Sequence, residues 1–194
     1  MICLFYQAIQ IKTTMKRIIF IAAIMMACFQ VQAQIQSAQL SASGLTCSMC
    51  SKSIYKSLMQ LSSVDSVAVD IDQSLFTIFF KSGVPVFPDD IKKAVTDAGF
   101  AIASLQMTAN FPATDVAKDT HMQFAGATYH ILNAQGQHIE GIRTFSVLDK
   151  NFVTTAVFRR NKKYTQMTCY ETGHAAACCH QSVKNGDRIY HITF

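Results

Sequence analysis

Cys47 and Cys50 stand in the run Gly44-Leu45-Thr46-Cys47-Ser48-Met49-Cys50. A two-residue gap lets both sulfurs face one point, and the N–H groups of a helix starting there favour the thiolates. Two soft thiolates with no carboxylate or imidazole nearby suit a soft ion such as Cu(I). Held by two sulfurs, the ion keeps room for an incoming third thiolate, which favours transfer over storage. The same pair permits two other chemistries. One is a thioredoxin-like redox couple. The other is a structural disulfide, which stabilises little when it closes so short a loop.

A second concentration lies near the C-terminus: Cys169, His174, Cys178, Cys179 and His180. Three thiols and two imidazoles can make a second metal site, although the spacing is not that of a zinc finger and adjacent cysteines point apart in regular structure. The plainer reading is a disulfide from Cys169 to Cys178 or Cys179 with one sulfur left over. His121, His130, His138 and His191 are scattered and read as ordinary strand or surface residues. Arg159, Arg160, Lys162 and Lys163 read as a solvated turn. No Ser-His-Asp triad, phosphate loop or carboxylate pair is present, so an enzyme is not expected.

The elements that must position Cys47 and Cys50 follow in a regular order. Residues 38–45 have strand character, ended by Gly44 and the cysteine loop. Residues 51–61 place Ile54, Leu58 and Leu61 on one helical stripe. Val67, Val69 and Ile71 alternate with polar or small residues as in a half-buried strand, and 75–81 set Phe76, Ile78 and Phe80 on one face. Pro88, Asp89 and Asp90 start a second helix, Ile91, Val95 and Ala98 form its buried face, and Gly99 is placed to cap it. Residues 101–107 make a last strand. The order β, α, β, β, α, β predicts a four-stranded antiparallel sheet with both helices on one face.

The run from Gly44 to Cys50, together with the ending Asp97-Ala98-Gly99-Phe100, resembles the heavy-metal-associated domain family over about seventy residues. That family includes copper chaperones, the metal-binding domains of copper-pumping ATPases and the periplasmic mercury-binding protein. The resemblance implies a ferredoxin-like α+β domain over 38–108, with its two metal ligands at Cys47 and Cys50. Leu45 stands where the family commonly has Met, and leucine can fill the same core position.

Residues 109–120 read as a polar, proline-containing linker. Residues 121–194 read as a small β-rich α+β module: strands at 124–132 and 143–148 around a turn at 133–136, an ambiguous stretch at 151–164, and a final strand at 188–194. All six histidines fall in this half, which is itself a hint of two domains.

The chain has 194 residues, half of them hydrophobic and 15% charged, a balance that excludes a wholly disordered polymer. The formal charge of +5 overstates the basic character: Lys12, Lys16 and Arg17 precede Gln34, and none of the 12 acidic residues does. The remainder is nearly neutral, which argues against a nucleic-acid partner. Met15-Lys16-Arg17, an apolar stretch at 18–29 and Val31-Gln32-Ala33 read as a signal peptide over 1–33, with Met15 an alternative start. Lipid attachment at Cys28 is a competing, poorer fit, and the apolar stretch falls short of the roughly 18 residues of a spanning helix. Export to the periplasm or the medium leaves five cysteines, an odd number in an oxidising compartment.

The expected protein is therefore an exported soft-metal binder, a carrier or scavenger of Cu(I), with Hg(II), Ag(I) and Zn(II) as other ions that thiolates accept. The alternatives are a thiol–disulfide oxidoreductase, and a metal-delivery module whose tail docks a metal-transporting membrane protein.

Overall fold

In the sequence from Gln34 to Ser43, Ile35, Ala38, Leu40 and Ala42 go to the core while intervening polar residues face outward, and this builds β1 (Gln34–Ser43). A bulge between Ile35 and Ser37 switches the inward parity from odd to even positions. The computed structural model describes residues 34–45, 48–177, 179 and 183–194. The expected leader at 1–33, Thr46, Cys47, Cys178 and His180 lie outside them.

Helix α1 (Ser48–Met59) buries Ser51, Ile54 and Leu58 on one stripe. It starts and ends earlier than the periodicity suggests, and Leu61 packs on the core from the turn beyond it. β2 (Val64–Asp70) and β3 (Leu75–Phe80) form a hairpin. Ile71 lies in the hairpin turn and is 58% exposed, so it does not extend the apolar face of Val67 and Val69. Helix α2 (Pro88–Asp97) buries Ile91, Ala94 and Val95. Its C-terminus closes as expected: Gly99 adopts φ +88°, its N–H donates to the Thr96 carbonyl (2.9 Å), and the Phe100 N–H donates to that of Val95 (3.1 Å). This is a Schellman cap.

β4 (Ala101–Val116) corrects the expected domain layout. Of the expected linker at 109–120, residues 109–116 are the second half of this sixteen-residue strand, 117–119 turn the chain, and Thr120 opens the next strand. Pro112 lacks an N–H for a ladder and so has the character of a linker residue. The β4–β7 pairing tolerates it by shifting register between Phe111 and Thr114, so the proline sits in a bulge.

The strand expected at 124–132 is β6 (Ala127–Ile131), and an additional strand, β5 (Thr120–Phe124), precedes it. Ala125 and Gly126 both take positive φ, +47° and +83°, and form the two-residue turn of a tight hairpin. β7 (Gln137–Val147) follows the expected turn. The ambiguous stretch contains helix α3 (Thr155–Asn161), where the Thr154 hydroxyl accepts from the Val157 N–H, and then one 3₁₀ turn. The basic cluster at its end is exposed as expected, but helical. A single helical turn, α4 (Cys169–Thr172), precedes β8 (Ile189–Thr193).

All eight strands join one sheet in the order β2-β3-β1-β4-β7-β8-β6-β5. The first four are the predicted antiparallel arrangement, and only β6 with β8 is parallel. One apolar cluster runs from Leu40, Ile54 and Phe76 through Met107 and Phe111 to Tyr129, Phe145 and Ile192. This cluster crosses the expected domain boundary, while Leu132, Leu148, Phe158 and Tyr170 form a smaller one of their own.

Candidate metal-binding site and a buried histidine cluster

Gly44 turns the chain out of β1 at φ +83°, a conformation that suits glycine. Leu45 then packs against the core, which is the role expected of the family's methionine. Cys50 lies in the first turn of α1, half-buried, and that turn carries no acidic residue. The first turn of a helix is the positive end of its dipole. Met49 is 71% exposed, so the helix start faces solvent. β1 is flanked by β3 and β4, both antiparallel to it. Among the described residues, no parallel strand pair of the kind a thioredoxin-like couple uses adjoins β1.

Three of the C-terminal residues singled out from the sequence, Cys169, His174 and Cys179, are among the described residues. His174 is exposed, and its Nδ1 donates to the Gly186 carbonyl at 3.1 Å. Cys169 is fully buried in α4 and belongs to a small apolar cluster with Ala175 and Ile189, against which Cys179 packs.

What surrounds the Cys169 sulfur is a set of histidines that are scattered in the sequence. His130 Nδ1 lies 3.7 Å from Cys169 Sγ and His191 Nε2 lies 3.5 Å from it. His121 pairs with His130 across β5 and β6, and His130 pairs with His191 across β6 and β8. Residues directly opposite in adjacent strands share a face, so the three imidazoles form one row. The first two rings stack at 4.3 Å and the second pair meets edge-on at 5.0 Å. His130 and His191 are fully buried.

Each of these two rings is oriented by a carboxylate. His130 Nε2 lies 3.0 Å from Asp119 Oδ1, and His191 Nδ1 lies 3.0 Å from Asp149 Oδ1. An ionised carboxylate only accepts, so the facing nitrogens carry the protons and the opposite nitrogens present lone pairs to the sulfur. Burial, aided by the other two imidazoles, holds His130 down at about 4 despite Asp119. One sequence signal marks the cluster: the tripeptide Tyr-His-Ile occurs at 129–131 and again at 190–192, and the two copies pair in register.

The first half is a ferredoxin-like βαββαβ unit with Cys50 in the first turn of its first helix. Residues 39–101 match the model of the family described as the heavy-metal-associated domain, and through this segment the chain belongs to that family. Solved structures similar to it include a copper binding domain from HMA7, a P-type ATPase (32% identity, 34% of this chain and 86% of that one, TM-score 0.31). The yeast copper transporter domain CCC2A, studied in apo and Cu(I) loaded states, is 26% identical over 34% of this chain and 88% of that one, TM-score 0.30. Oxidized MerP from Ralstonia metallidurans CH34 is 26% identical over 36% and 96%, TM-score 0.33. No curated protein sequence matches the chain. Membership of the family supports a heavy-metal binding or transport role, which is the coarse function of the first half.

Proposed function

We propose that the protein is an exported carrier or scavenger of a soft metal ion, Cu(I) foremost, which Cys47 and Cys50 bind as a thiolate pair. The observation that carries this reading is a family match spanning the loop from β1 to α1, with Cys50 in the first helical turn of an antiparallel βαββαβ sheet. The protein acts outside the cytoplasm after loss of residues 1–33, and exchanges its ion with a metal-transporting membrane protein rather than catalysing a reaction. Hg(II), Ag(I) and Zn(II) are the other ions such a pair accepts.

The reduced protein should bind one Cu(I) at this loop, measured by competition with a chromogenic Cu(I) chelator. Replacing both cysteines by serine should remove the tightest binding step. Unchanged affinity in the Cys47→Ser, Cys50→Ser protein would sink the assignment.

A further inference from the structure

We infer that His121, His130 and Cys169 form a second, buried metal site for a borderline ion of the Zn(II) class, with His191 available as a fourth ligand. One ligand atom from each of the first three residues lies within 4.8 Å of the other two. This site is separate from the Cys47 and Cys50 loop and does not rest on the reading of that loop.

The distances from the sulfur to two of the imidazoles fit a metal polyhedron. Zn–N near 2.0–2.1 Å and Zn–S near 2.3 Å at tetrahedral angles put nitrogen about 3.6 Å from sulfur. His130 Nδ1 and His191 Nε2 lie 3.7 and 3.5 Å from Cys169 Sγ. A thiol carries one proton and can donate to one of these nitrogens, whereas a cation beside a thiolate engages both lone pairs.

The outer layer fits as well. Ligating histidines characteristically donate their other ring N–H to a carboxylate, which fixes the tautomer and the ring plane. Asp119 does this for His130 and Asp149 for His191. Asp119 is held at φ +59° in a turn where its carboxylate reaches the ring. Charge also balances: the Asp149 carboxylate is paired with Arg188 at 3.1 Å, which leaves one thiolate and the Asp119 carboxylate against a dication. Buried charges persist when neutralised in this way. His121 is half-buried and supplies a route from the surface.

Cys169, His191 and Asp149 also have the order of a nucleophilic triad. The sulfur and the imidazole are both fully buried, so no substrate reaches them. Mixed imidazole and thiolate donors suit Zn(II), and Co(II) is its spectroscopic substitute.

The test is a Co(II) titration of the reduced full chain carrying Cys47→Ser and Cys50→Ser, which removes the loop site and keeps the two assignments independent. One equivalent of Co(II) should give tetrahedral d–d bands and a thiolate-to-cobalt charge-transfer band, both displaced by Zn(II). Cys169→Ser should abolish the charge-transfer band. His121→Gln, at the half-exposed edge, should keep the far-UV circular dichroism and weaken Co(II) at least about tenfold. Absence of the band, its survival in Cys169→Ser, or unchanged affinity in His121→Gln would overturn the site. If Cys169→Ser fails to fold, the His121→Gln titration decides.

Discussion

Asp89, in the first turn of α2, and Arg188, just ahead of β8, form an ion pair at 2.8 Å across 99 residues of sequence. Tyr190 donates its hydroxyl to the same Asp89 oxygen at 3.0 Å. Arg188 also reaches Asp149, which holds His191. The pair therefore joins a helix of the heavy-metal-associated domain to the network around the histidine row.

Asp89 should make stability sensitive to acid. Burial pushes its carboxyl up, but the hydrogen bonds and charges of Arg188 and Lys92 outweigh this and hold it at about 2, against 3.8 ordinarily. A depressed carboxylate contributes fully above 3.8 and loses its contribution as pH falls through about 2. Asp89→Asn should cost about 1 kcal/mol at pH 6, a figure discounted because the side chain is a third exposed. Urea titrations of both proteins should show this difference shrinking towards pH 2. A difference independent of pH would contradict the assignment.

The shared core makes Phe145 a test of unity. It is buried against Phe111 of β4 and Tyr129 of β6. Phe145→Ala should destabilise the chain by about 3 kcal/mol or more. Chemical denaturation should still show one transition, because the largest apolar cluster joins residues of both halves. Two separated transitions would mean that the halves fold independently.

A fragment of residues 34–111 holds both helices and the four strands of the first half. It should give dispersed amide resonances with a lower urea midpoint than the whole chain, because the β4 edge loses β7. A collapsed spectrum would show that the second half is needed for the first to fold.

Gly44→Ala tests the loop ahead of Cys47. An added Cβ would meet no atom within 4 Å, so the cost is conformational, arising from φ +83°. Thermal unfolding should report a loss of about 1–2 kcal/mol, with Gly44→Asn losing less. Equal stability of the alanine variant would mean that the loop relaxes to negative φ.

Local signals made the first half readable. Apolar spacing, Pro88 with two acidic residues, and Gly99 act within a few residues of the structure they cause, and the Schellman cap and antiparallel order follow from them. The same locality misplaced the boundary at β4. Pro112 reads as a linker residue until a partner strand shows that a bulge absorbs its missing donor, and Ala125 with Gly126 reads as strand until the hairpin closes. The C-x-x-C motif is visible in the sequence because its two cysteines are separated by only Ser48 and Met49. The second cluster is not, because His121 with His130, Cys169 and His191 come from four separate elements. Only strand pairing, with β8 inserted between β7 and β6, sets the imidazoles in a row beneath the sulfur of α4. The sequence alone determined the element order of the first half and the family of its domain, because those signals are local. The tertiary structure decided which distant side chains share a buried point, since non-local register has no signature in local spacing.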